Sequence, residues 1–353
     1  MLGRILKDLF ASKGSSRPGQ TVFEAGVDAY KAGKLAAAAE HFAGALRAEP
    51  ENVQAHNYAG GIDLRTGRYR EAIEHFARAR LLDPQKAEYC FGEALAHREL
   101  GATEAARECC EKALALDPGL APVHDLLASL NLPGPDYLET ISMFHSLLRP
   151  RTYLEIGVES GQSIALARRE TRAIGIDPEP EITKRLAPDT SIRVTTSDAY
   201  FASHDVLAEF GGLPIDLAFI DGMHHFEFAL RDFINIEKHC TSQSTILIHD
   251  CYPLSRQTAE RERRTKFWSG DIWRLVLILR KYRPDLSVKV IGTAPTGLGV
   301  VRGLDPGSRV LQEKYDVIVG EFLALDYSVL DADKPGMLAL YPNDWEKLKA
   351  ILQ

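Results

Sequence analysis

The chain has 353 residues, 45% hydrophobic and 26% charged, a soluble-globular composition long enough for two domains and unlike a disordered or collagen-like polymer. Lys and Arg number 42 against 49 Asp and Glu, a net charge of −7, so no global field attracts nucleic acid and none is expected as a partner. No apolar run reaches the roughly eighteen residues that a transmembrane segment needs, and five cysteines without a C-x-x-C pair fit a reducing, cytoplasmic location.

Residues 1–20 read as an N-terminal amphipathic segment and linker. Leu2, Ile5, Leu6 and Leu9 share one helical face, and Ala11 to Gln20 carries the Gly, Ser and Pro of a linker. The apolar core and cleavage site of a secretory signal are missing. From Thr21 the sequence repeats. Pro50, Pro84 and Pro118 are 34 residues apart, as are Ala38, Ala72 and Ala106, and also Gly33, Gly67 and Gly101. Gly26 and Gly60 share a position that becomes Ala94, and Phe42 and Phe76 correspond to Cys110. Small residues let two helices approach, a glycine ends the first and a proline ends the second, which is a helical hairpin. The pattern resembles the tetratricopeptide repeat, and it implies an all-α solenoid over 21–132, closed by a capping helix at Ala121 to Leu130. Such arrays hold a protein or peptide partner; the alternative is that this one only dimerises the chain or supports the next domain.

After Leu132-Pro133-Gly134-Pro135 the texture changes. Apolar runs at 152–157, 172–176, 192–195, 215–220 and 245–248 alternate with helical stretches at 162–170, 181–186, 202–210 and 226–239. That alternation predicts an α/β domain with a mostly parallel sheet covered on both faces and ligands at the strand ends. The first strand runs into Glu155-Ile156-Gly157-Val158-Glu159-Ser160-Gly161. Its glycines allow close backbone approach, while Glu155 would repel a pyrophosphate and suit a ligand bearing an ammonium and a sulfonium. Asp177, twenty residues after Gly157, is placed to accept both hydroxyls of a ribose, and Asp198 to accept an adenine amino hydrogen.

Together these residues resemble the class I S-adenosylmethionine-dependent methyltransferases, with a Rossmann-like domain over 135–306. The resemblance implies that S-adenosyl-L-methionine binds with Glu155, Gly157 and Gly161 at its methionine part, Asp177 at its ribose and Asp198 at its adenine. Asp221 is counted with them. The fourth strand ends in Asp221-Gly222-Met223-His224 and the fifth in His249-Asp250. This looks like the metal-dependent sugar and macrolide O-methyltransferases, and implies His224 as catalytic base with Asp221, His249 and Asp250 holding a divalent cation, magnesium or manganese. His249 departs from that pattern, because imidazole is a poor magnesium ligand.

Between Leu254 and Arg283 nine basic residues stand against three acids, interleaved with Phe267, Trp268 and Trp273. Arg261, Arg263, Arg264 and Trp268 are therefore expected to bind an anionic or sugar-like small-molecule acceptor beneath a lid. The segment 307–353 reads as a C-terminal helical extension for packing or oligomer contact. The function expected is O-methylation. The competing expectation is a protein-interaction module whose methyltransferase domain is non-catalytic or protein-directed.

Overall fold

The structure is a computed structural model that describes residues 18–352, and it divides into two compact units, one reaching Leu130 and one running from Asn131. The apolar face expected at Leu2 to Leu9 lies outside the described residues. Helix α1 (Pro18–Lys31) begins inside the stretch read as linker, with proline in the first turn, where its fixed φ suits a helix start. Among the described residues, no helix is long and apolar enough to cross a membrane.

The first unit is a run of helical hairpins. Helix α1 pairs with α2 (Leu35–Ala48), α3 (Val53–Arg65) with α4 (Tyr69–Leu82), and α5 (Ala87–Glu99) with α6 (Thr103–Leu116); α7 (Ala121–Asn131) follows. Gly33, Gly67 and Gly101 turn each hairpin at φ 76°, 79° and 72°, a region that a Cβ disfavours. Phe76 shows how the repeat period fixes packing. Its ring fills the space left by Gly60 in its own hairpin and by Gly92 in the next, where a Cβ would approach to 3.1 and 2.7 Å. Phe42 stacks on Tyr58 of the following hairpin at 4.9 Å. Each large residue thus locks two neighbouring repeats, which no single repeat could do alone.

The second unit is built on an eight-stranded sheet among the described residues, ordered β3-β2-β1-β4-β5-β7-β6-β8. Strands β1 (Thr152–Ile156), β2 (Arg172–Asp177), β3 (Thr190–Val194), β4 (Leu217–Ile220) and β5 (Thr245–Ile248) are parallel. Strand β7 (Leu298–Arg302) lies antiparallel between β5 and β6 (Ser287–Ile291), and β8 (Leu340–Tyr341) runs parallel to β6. The central strands β1, β4 and β5 are buried along their whole length, as their continuous apolar sequences require.

One face of the sheet packs on α9 (Ser197–Ser203), α10 (Phe226–Glu237), α11 (Trp273–Tyr282) and α12 (Tyr315–Leu323) through a large apolar core. The other face packs on α8 (Tyr137–Leu148) and on α13 (Trp345–Leu352), with Ile141, Phe144 and Leu348 buried together. Two expected helices are missing from this second face. The stretch 162–170 forms a single 3-10 turn, Ile164–Leu166, and 181–186 is irregular. The latter lies between Pro180 and Pro188, too few residues to offset the cost of nucleating a helix. Helix α13 covers this face as well. The described part of the segment 307–353 carries several helices together with strand β8, and it contributes Leu311, Ile318, Phe322 and Leu348 to the core.

Candidate active site

The strand order reverses between β1 and β4, and a cleft of about 820 Å³ opens at the carboxyl ends there. After Ile156 the chain turns through Gly157 at φ 83°. A Cβ on Gly157 would stand 2.0 Å from the Asp221 carbonyl oxygen, so only glycine lets the loop cross the end of β4. Asp177 fastens this loop. Its Oδ2 accepts from Val158 N and Glu159 N, each at 2.8 Å, and Oδ1 from Glu179 N at 2.8 Å. A carboxylate has about four acceptor positions, and these backbone N–H groups take three of them.

Glu155 departs further from expectation. It points into the core, fully buried, and its carboxyl accepts the Tyr153 hydroxyl at 2.5 Å and the Ser163 hydroxyl at 2.7 Å. Burial, with a smaller push from Asp221, raises its pKa to about 8 against the pull of those two hydroxyls. It does not line the cleft, and neither does Gly161, whose N–H closes the turn on Val158 O at 2.8 Å. Asp198 does line it, although Arg231 already holds both its oxygens, at 3.0 and 2.7 Å.

At the cleft floor the ends of β4 and β5 bring four polar side chains together. Asp250 sits at φ 63°, an uncommon conformation for a non-glycine residue and one that clusters at functional sites. His224 Nδ1 stands 2.8 Å from Asp250 Oδ2, an ion pair whenever the imidazole is protonated. Thr296 donates to Asp250 Oδ1 at 2.6 Å, and His249 Nδ1 is 3.1 Å from Asp221 Oδ1. Burial alone would lower the His224 pKa, but Asp250 and then Asp221 raise it. His249 is raised well above its usual value, against burial, by the same two carboxylates. Asp250 is held below the carboxylate range, against burial, by His249 and His224.

Asp221, His224 and Asp250 each offer a ligand atom, all within 4.8 Å of one another. His249, expected in that set, is not part of this group although it borders the cleft: it is buried, its Nε2 without a hydrogen-bond partner, its ring 4.4 Å from that of Tyr137.

Of the four residues expected to bind the acceptor, Arg263 and Trp268 line the cleft and Arg261 and Arg264 do not. Trp268 stacks on the His224 ring at 5.0 Å and 9°, its indole N–H donating to Glu260 O at 2.6 Å. Arg263 lies at 5.9 Å over the same indole. Arg261 instead ties the loop to the protein body, bonding Glu227 at 2.5 Å and the buried Asp271 at 2.6 Å. Arg264 is 60% exposed and pairs with Glu260 and Glu262. Sequence reasoning missed Tyr137, Phe228 and Asp232, all of which line the cleft from helices. The available signal was the spacing of Phe228 and Asp232, an acid one turn beyond an aromatic and flanked on its helix by Ala229, Phe233 and Ile236.

A family model for a methyltransferase domain matches residues 154–251, and one for the tetratricopeptide repeat matches 23–79 and 62–121. The chain thus joins tetratricopeptide repeats to a methyltransferase domain, and a domain of that kind implies S-adenosylmethionine as cofactor. A curated relative, the TPR repeat-containing thioredoxin TTL4 of Arabidopsis thaliana, is 34% identical over 135 residues, which is 37% of this chain and only 19% of that protein's length. Among solved structures, the MamA protein is 22% identical with a TM-score of 0.31, covering 32% of this chain and 61% of its own. The first repeat domain of Spaghetti, bound to an HSP90 peptide, is 20% identical with a TM-score of 0.32, covering 33% and 92%.

Proposed function

We propose that the second unit moves the methyl group of S-adenosylmethionine to an oxygen of a sugar-like or anionic small molecule. The observation that carries this reading is the His224–Asp250 pair at the cleft floor, with the Trp268 ring stacked beside it. The cofactor supplies an electrophilic methyl group on a sulfonium, and a divalent cation would lower the pKa of the acceptor hydroxyl. The chain's task is then to align the acceptor oxygen and take its proton. Asp250 faces Nδ1 of His224, which leaves Nε2 as the nitrogen that accepts the proton and balances the imidazolium that results. Gly157, Asp177, Asp198 and Asp221 are assigned to the cofactor. The Trp268 indole suits a sugar face, and the Arg263 guanidinium a carboxylate or phosphate.

A second reading is favoured by the close grouping of Asp221, His224 and Asp250, which would hold the cation directly and make His224 a ligand rather than the base. Two carboxylates with one imidazole suit manganese better than magnesium. Metal binding would displace the protons that these side chains share, so its affinity would rise with pH.

The test is calorimetric titration of the full chain with S-adenosylhomocysteine, in magnesium and in chelator, followed by assays of His224→Ala on glycosyl and carboxylate acceptors. Turnover should fall about 10²- to 10⁴-fold with cofactor affinity preserved. Wild-type turnover that survives chelator supports the base; loss restored by manganese supports the ligand. No binding in either buffer removes the enzyme and leaves the interaction-module reading.

The repeats are assigned a protein or peptide partner. A groove of about 480 Å³ has Ala39, Leu46 and Ile62 on its walls, with Arg47 and Arg68 beside them. Ala43→Arg in the full chain should abolish co-purification of that partner and leave turnover on free acceptor unchanged; undiminished co-purification removes this groove.

A further inference from the structure

One buried acid in the cleft has no part in the reaction described above. Asp232 lies on α10, only 3% exposed, and meets the cleft beside Ser197, Asp198 and Phe228. Phe228, one helical turn earlier, presents its ring on the same side. Arg231, the adjacent residue, turns away to Asp198 and to the Tyr315 hydroxyl, and its guanidinium lies 4.3 Å over the Phe228 ring. One side of Phe228 is thus covered while the residue still borders the cleft. The charged groups facing Asp232 are Asp198 and Arg231, and Ser197 lies beside it on the cleft wall. Burial pushes its pKa up to about 7, the Ser197 hydroxyl and Arg231 pulling down and Asp198 pushing up.

A neutral carboxyl carries an O–H donor beside a carbonyl acceptor. That is the donor–acceptor pair with which an amide side chain reads adenine through its amino group and a neighbouring ring nitrogen. We propose that Asp232 reads the amino edge of the cofactor's adenine, acting as donor and acceptor at once, with Phe228 against the plane of the base. The inference rests on the S-adenosylmethionine reading above. Asp198 then shares its carboxylate between Arg231 and the second amino hydrogen.

The experiment is titration of the full chain with S-adenosylhomocysteine, and with its analogue lacking the 6-amino group, for wild type, Asp232→Asn and Asp232→Leu. The amide variant should bind within about threefold of wild type, and the leucine variant about ten- to a hundredfold more weakly, the span of one bidentate base contact. Wild type should prefer the amino-bearing ligand and lose affinity as pH rises above about 7, because the ionised carboxylate has no donor; Asp232→Asn should keep the preference without the pH dependence. Equal affinities in all three proteins, or a flat wild-type profile, would overturn the assignment, as would an amide variant as weak as the leucine one. The wild-type profile decides even if a variant fails to fold. No wild-type binding at any pH would remove the cofactor reading itself, a result distinct from binding that ignores Asp232.

Discussion

Replacing Glu155 by glutamine should stabilise the second unit, by an amount that grows with pH. In an unfolded chain this carboxyl ionises near 4.5; fully buried between Tyr153 and Ser163 it does so near 8. Between those values folding takes up a proton. Wild-type stability therefore falls as pH rises, by about 1.4 kcal/mol per pH unit for one proton, and the loss levels off above the folded value. The whole effect is on the order of 5 kcal/mol. Glutamine has the same shape and can still bond both hydroxyls, but it carries no titrating proton. The assay is urea unfolding followed by tryptophan fluorescence, and the chain's three tryptophans, Trp268, Trp273 and Trp345, all lie in the second unit, so the signal reports on that unit. The difference between Glu155→Gln and wild type should climb steadily from about pH 5 to pH 8 and then stay constant. A difference that stays constant over that range would mean that Glu155 is ionised in the folded protein at neutral pH, and the burial argument would fail.

Gly157→Ala should weaken S-adenosylhomocysteine binding by more than about tenfold, because the φ of 83° costs roughly 1–3 kcal/mol and the new methyl meets the Asp221 carbonyl; calorimetry checks it. Arg261→Ala and Arg263→Ala should behave oppositely: the first lowers the melting temperature by several degrees, because Glu227 loses its arginine and the buried Asp271 keeps only Arg274, whereas the second leaves melting unchanged and raises the acceptor KM. Leu348→Ala should cost about 2–5 kcal/mol, although it lies far along the chain from the family match, and urea unfolding measures it. Phe76→Ala should cost about 3–5 kcal/mol in the first unit, read by circular dichroism, with the tryptophan transition unmoved.

The repeats were the most legible part of the chain, because their period fixes the helix ends and the recurrence of small and aromatic positions such as Gly60 and Phe76. Strands β1, β2, β4 and β5 were legible for a related reason, being buried on both faces and hence continuously apolar. Helices covering the second face were not, because a periodic stretch such as 162–170 gives no sign that it stops after one 3-10 turn, nor that α13, nearly two hundred residues later, packs on the same face. At the site, strand ends announced Asp177, Asp221, His224 and Asp250, whose positions follow from topology. Side-chain direction did not follow. Glu155 alternates inward along its strand, and Arg261 finds Glu227 and Asp271 before any acceptor does. An excess of positive charge in the sequence says only that anions are wanted nearby; here the protein's own carboxylates supply most of them.

The late contribution of β8 and α13 bears on how the protein is made. A chain leaves the ribosome amino end first, so the repeats can collapse on themselves while the catalytic half is still being translated. The sheet cannot finish at once: α8 is already made, but the face it covers lacks its second helix until residues 345–352 arrive, and the edge strand β6 stays unpaired on one side until residues 340–341 do. For that interval the nascent protein is a folded solenoid trailing an adhesive half-sheet, the state in which a chaperone would find the most to hold. A shortened version ending near residue 306, where the family-like motifs stop, would remain in that state permanently.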